Sequence, residues 1–136
     1  MGASKYSDGL NGIRVHMGNT MNIPVEAVES TLPVQVSGYE LITGSGGIGK
    51  FVGGLGVRKV IKSLVNEMEV SLLGERTSTP AFGVNGGGPG STAKFFIKDV
   101  DGNVKKLSSK TVSVLMNKGD ELWIETAGGG GYGDNK

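Results

Sequence analysis

The side chains best suited to chemistry lie close together near the start of the sequence. His16, Asn19, Thr20 and Asn22 all fall within His16-Met17-Gly18-Asn19-Thr20-Met21-Asn22. An imidazole, two amides and a hydroxyl at that density supply a set of short donors and acceptors. Such a set either satisfies the backbone of a turn or lines a cleft and hydrogen-bonds a ligand. His16 is the only histidine, and there is no cysteine. A site built from several imidazoles cannot form within one copy of the chain. Thiolate metal sites and disulfides are excluded as well. Serines are plentiful, but with one histidine nothing beyond presence would pair them into a nucleophilic triad. Arg76, within Gly74-Glu75-Arg76-Thr77, follows a clear strand and is a candidate to meet an anionic group, with a surface ion pair as the equal alternative. Glu26 and Glu29 are three apart and share a face if the segment is helical; an exposed helix face is the default reading of that pair. No catalytic, cofactor-binding or metal-ligating residue is assigned in this chain.

Two glycine-containing segments imitate known sites. Gly44-Ser45-Gly46-Gly47-Ile48-Gly49-Lys50 fits the first seven positions of a phosphate loop, G-x-x-x-x-G-K. That loop needs Ser or Thr next, to hold Mg²⁺, and then a helix whose N-terminus faces the phosphates. Phe51 occupies the first position, and Val52-Gly53-Gly54-Leu55-Gly56 is a poor helix start. The segment reads instead as a glycine-rich turn where backbones approach closely. Asp99-Val100-Asp101-Gly102-Asn103 imitates a calcium loop, but its glycine stands at position four and Lys110 occupies position twelve. The EF-hand pattern wants glycine at six and glutamate at twelve, so a tight hairpin turn is the better reading.

The elements that must position these residues are short strands. The 136 residues suit one domain, 1–136. Glycine, at 25 residues, is the compositional outlier, and it argues against long helices. Its patches at 44–56, 83–90, 102 and 128–133 punctuate β-branched and apolar stretches. Strands are expected over Ile13–Met17, Pro33–Thr43 with a bend at Gly38, Val57–Leu64, Glu67–Leu73, Thr92–Lys98, Val104–Leu107, Thr111–Met116 and Glu121–Thr126. Within Glu67–Leu73, Met68, Val70 and Leu72 alternate with Glu67, Glu69 and Ser71. Val112, Val114 and Met116 are expected inward. Trp123 is expected to serve core or interface packing. One helix is expected, Ile23–Glu29, with Asn22 as its cap and Pro24 near its start. The class is all-β: a sandwich or barrel of about seven to eight short, mainly antiparallel strands with one short helix and glycine-rich loops.

The formal net charge of +1 provides no field favouring nucleic acid or an anionic membrane. No apolar run approaches the roughly 20 residues of a spanning helix, and no signal peptide is read at Met1. A cytoplasmic location is expected, since the lack of cysteine fits a reducing compartment.

Several stretches, taken in order, resemble the C-terminal region of the hydantoinase B/oxoprolinase family. They are Asp8-Gly9, the polar run from His16 to Glu29, Tyr39-Glu40-Leu41, Ser45 to Gly56, Leu72 to Arg76, Phe82 to Gly90 and Gly128 to Asp134. The resemblance implies a subunit that partners an ATP-binding hydantoinase A-type chain. Family members cleave 5-oxoproline or hydantoins with ATP, and related enzymes carboxylate ketones. ATP and a divalent metal are therefore implied for the complete enzyme and neither for this chain. Family subunits are several times longer, and the N-terminal part of the B-type subunit is expected to carry the metal ligands. The expected function is that of a β domain, inactive alone, in an ATP-dependent cyclic-amide hydrolase. His16, Asn19, Thr20, Asn22 and Arg76 are its candidate substrate-binding or active-site-supporting residues. The alternative is a non-catalytic assembly module of a related ketone carboxylase or hydantoinase complex. Expected partners are the A-type chain and the N-terminal B-type part, with self-association as a further possibility for an exposed interface.

Overall fold

The computed structural model describes residues 1–15, 18 and 20–134. It contains one helix, α1 (Val25–Thr31), and seven strands: β1 (Val34–Leu41), β2 (Val57–Ser63), β3 (Met68–Leu73), β4 (Lys94–Lys98), β5 (Val104–Lys106), β6 (Lys110–Met116) and β7 (Glu121–Glu125). A five-stranded sheet runs β1-β2-β7-β4-β5, and a two-stranded sheet pairs β3 with β6; every pairing is antiparallel. The fold is an open sandwich of two layers and not a closed barrel.

The core lies between the layers because each inner face carries the apolar member of an alternating pair. Phe95, Ile97 and Leu122 of the large sheet pack with Met116, Ala93 and Leu107, and Met68, Val70, Leu72 and Val114 close over them. Alternation in β3 therefore reads as expected. In β6 it does not hold. Val70 pairs with Val114 but Leu72 pairs with Thr111, so two residues, Val112 and Ser113, bulge opposite Ser71. Ser113 takes a left-handed conformation with φ 54°. The extra residue turns Val112 outward, where it is 78% exposed, and the expected inward position is corrected to Val114 and Met116 alone.

Three further expectations shift. Ile13, Arg14 and Val15 form no strand; His16 and Met17 lie outside the described residues. The helix starts and ends two residues later than expected. Its N-cap is Pro24, with no side-chain capping bond; Asn22 instead donates from Nδ2 to the Tyr39 hydroxyl at 2.9 Å. The bend in β1 is a bulge between Val36 and Gly38, with Gly38 facing Val60. The Asp101-Gly102 hairpin between β4 and β5 forms as read, with Gly102 at φ 88°.

The glycine patches form a third structural region. They extend the ends of the large sheet into segments laid side by side and joined by backbone bonds. Gly47 N donates to Gly129 O, Gly129 N to Gly54 O, Gly88 N to Ile48 O and Gly131 N to Gly88 O. The first residues join as well: Gly54 N donates to Met1 O and Ala3 N to Gly130 O. Most of these glycines have ordinary negative φ. What the layer requires is the missing side chain: a Cβ on Gly46, Gly53, Gly128 or Gly130 would collide with the carbonyl of Gly53, Gly129, Ser45 or Phe82 respectively. Close approach of backbones selects glycine here.

Candidate functional site

The end of the polar segment, from Thr20, leads into α1 beside the edge strand β1. Thr20 and Asn22 are both exposed, and the bond from Asn22 to Tyr39 ties the segment to the sheet edge. His16 and Asn19 lie outside the described residues. One helical turn further on, Glu29 Oε1 accepts the Val36 backbone N–H at 2.8 Å. That carboxylate occupies a donor that an edge strand would otherwise offer to another chain. The sequence leaves Glu29 on a merely exposed face; its partner is seven residues away and visible only in three dimensions.

Arg76 is not part of this cluster. It follows β3 in a left-handed conformation, φ 61°, and its carbonyl accepts Ala93 N just before β4. Its guanidinium donates to Pro80 O at 3.4 Å. Three strand spacings separate β1 from β4, about 14 Å, so Arg76 and Asn22 belong to different regions. The guanidinium of Arg76 is exposed and forms no ion pair among the described residues.

The two imitation sites resolve into structure. Lys50 is not followed by a helix: Phe51 bridges to Tyr132, and Lys50 N donates to Gly133 O. No helix N-terminus faces a phosphate there. Asp99 spends its oxygens on its own turn, accepting Asp101 N, Asn103 N and the Asn103 side-chain amide. The Asn103 side chain first, then these backbone donors, hold the Asp99 carboxyl below its usual range. Among the described residues no group of three or more His, Cys, Asp or Glu could hold a metal ion.

The outer face of the large sheet carries an array that the sequence reading did not assemble. Strand register aligns Glu40, Arg58, Glu125 and Lys94 in one cross-strand row. Arg58 bridges Glu40 at 2.7 Å and Glu125 at 2.8 Å. Its pKa is raised, first by the hydrogen bond to Glu125 and then by that to Glu40. The guanidinium carbon sits 5.3 Å over the Trp123 ring, and Trp123 stacks on Phe96 at 5.5 Å. Trp123 Nε1 donates to Glu121 Oε2 at 3.0 Å. Only the β7 part was signalled, by Glu121, Trp123 and Glu125 alternating with Leu122 and Ile124. At one end of this face, Lys62, Lys98, Asp99, Val100, Gly119 and Glu121 line an open groove of about 270 Å³. It is shallow, and no buried polar group points into it without a partner.

A two-layer sandwich fused to a glycine layer is a specific combination of fold and sequence. The Hydantoinase B/oxoprolinase family profile matches residues 1–135. The chain belongs to the hydantoinase B/oxoprolinase family. The 5-oxoprolinase of Dictyostelium discoideum is 36% identical over 132 residues, covering 97% of this chain and 10% of that protein. An ATP-dependent caprolactamase from Pseudomonas jessenii has a similar structure, with TM-score 0.76 and 26% identity over 98% of this chain and 24% of that one. A nucleotide-free acetone carboxylase shares the fold, with TM-score 0.82 and 20% identity over 98% of this chain and 22% of that one. This hydantoinase B-type chain spans a quarter or less of each of these relatives. No helix among its described residues is long and apolar enough to cross a membrane.

Proposed function

We propose that this chain is the β domain of an ATP-dependent subunit that opens cyclic amides, of the 5-oxoproline or hydantoin class, and that it is inactive alone. The observation that carries the reading is the family match along residues 1–135, joined to a 36%-identical relative named as a 5-oxoprolinase. ATP and a divalent metal would serve the complete enzyme, ATP use being supported by relatives named as ATP-dependent. In this reading the domain works with a hydantoinase A-type chain and the larger, N-terminal B-type part, in the cytoplasm. His16, Asn19, Thr20 and Asn22 would hydrogen-bond substrate or brace the neighbouring part, and Arg76 would meet an anionic group.

A second reading, a non-catalytic assembly module of a ketone carboxylase or hydantoinase complex, is favoured by the glycine layer. Its segments seal against one another, which makes a rigid slab and not a cleft. A tagged pull-down from the source organism, with mass spectrometry of the co-purifying chains, tests both. Recovery of A-type and B-type polypeptides with ATP-dependent hydrolysis of 5-oxoproline or hydantoin is expected. Within that complex, replacing His16 and Asn19 by Ala lowers turnover under the first reading and leaves it unchanged under the second. Turnover by the isolated chain, or recovery of the chain alone, would count against both.

A further inference from the structure

Exposed apolar side chains are concentrated in the segment flanking β1. Of the 21 exposed large hydrophobic side chains among the described residues, nine fall within residues 10–41. Met21 is 96% exposed, Ile23 67% and Leu32 54%, with Ile13, Val15 and Val25 also exposed. Helix α1, seven residues long, buries none of its own side chains. A helix that short is marginal in water without tertiary packing on its apolar side. Here its recorded ties to the rest of the fold run along β1, through Glu29 to Val36 and, just upstream, Asn22 to Tyr39. The polar ties of Asn22 and Glu29 run to the sheet edge, while Met21, Ile23, Val25 and Leu32 stay exposed.

We infer that residues 20–32 form a docking surface for the remaining body of a hydantoinase B-type subunit. This rests on the functional reading above. The occupant is set by length: the homologous region is 24% of the caprolactamase chain and 22% of the acetone carboxylase chain, so most of such a subunit lies outside this domain. Exposed apolar side chains beside an edge whose Val36 donor is already occupied fit side-chain packing and not strand addition. Exposed patches of this kind mark protein interfaces.

The chain has no cysteine, so Met21→Cys, Ile23→Cys and Leu115→Cys variants each carry one labelling site. Leu115 is a control: it is exposed on β6, in the other sheet. Each variant is labelled with a photoreactive maleimide and mixed with the B-type polypeptide identified by the pull-down. Crosslinking at positions 21 and 23 should exceed that at 115 by at least about tenfold. Met21→Glu with Ile23→Glu should weaken association at least about tenfold, as a buried charge costs several kcal/mol. The circular dichroism should not change, since both side chains are exposed in the domain itself. Crosslinking that favours position 115, or links the chain chiefly to a second copy of itself, overturns the assignment of this surface while the functional reading stands. A pull-down that recovers no B-type polypeptide overturns the functional reading, and this inference with it.

Discussion

Single atoms decide the glycine layer. At Gly128 an added methyl would meet the Ser45 carbonyl, and both sides of the clash are backbone. At Gly44 there is open space, but φ is +74°. The two substitutions therefore separate crowding from conformation. Gly128→Ala should cost about 3 kcal/mol or more, the upper range for overpacking where nothing can yield. Gly44→Ala should cost about 1 kcal/mol, the left-handed penalty of one residue. Chemical denaturation of the two variants measures both; equal losses would mean that the layer relaxes around the methyl group. A second residue-scale expectation concerns Asp99, whose pKa is lowered by its turn. A carboxyl lowered on folding stabilises fully above its ordinary value, 3.8, and that contribution disappears as pH falls through the lowered value. Asn103→Ala removes the largest cause. It should raise the Asp99 midpoint in a carbon-detected NMR titration and flatten the loss of stability below pH 3.8.

At the scale of elements, the β6 bulge makes neighbouring apolar residues unequal. Met116 is 1% exposed and Val112 78%. Met116→Ala should cost about 2–5 kcal/mol, and Val112→Ala should stay within about 0.5 kcal/mol. Similar losses at both would mean that the strand alternates without a bulge in solution. Sequence periodicity places β3 correctly because Met68 to Leu72 alternate without interruption, and the Asp101-Gly102 turn because the left-handed position falls on a glycine. It misplaces Val112 because the bulge falls on Ser113, a residue type that does not announce positive φ. It caps α1 with Asn22 because local propensity knows nothing of Tyr39, which lies seventeen residues away. The polar character of the 16–22 segment is legible, as is the weakness of the two imitation sites. The charged row through Glu40, Arg58 and Glu125 is not, because it depends on a strand order, β1-β2-β7-β4-β5, that joins elements far apart in the chain.

At the scale of the whole molecule, the question is whether the glycine layer is an appendage or part of one cooperative unit. The layer is mostly glycine and none of its large apolar side chains is among the buried core, so it contributes no hydrophobic core of its own. Its strength must come from backbone hydrogen bonds, each worth a net of about 1 kcal/mol, and from close packing. The connections run through both regions. Ser45 Oγ accepts Gly56 N and donates to Ile42 O, clamping the exit of β1 to the entry of β2. Ser91 N donates to Ser45 O on the approach to β4, and Gly128 N donates to Ser91 Oγ just beyond β7. Four adjacent strands thus continue into one layer, and the layer cannot separate without fraying all four. We predict a single unfolding transition. Fluorescence of Trp123, the only tryptophan, reports the large sheet, and the amide of Gly131, bonded to Gly88 O, reports the layer. Their denaturation midpoints should coincide, as two-state unfolding requires. Ser45→Ala removes both bonds of the clamp and should shift the two midpoints together, by roughly 1–3 kcal/mol for an unsatisfied buried N–H. If Gly131 exchanges through openings that leave Trp123 fluorescence untouched, the layer is a separately melting unit, and its rigidity in a complete enzyme would have to come from the surfaces packed against it.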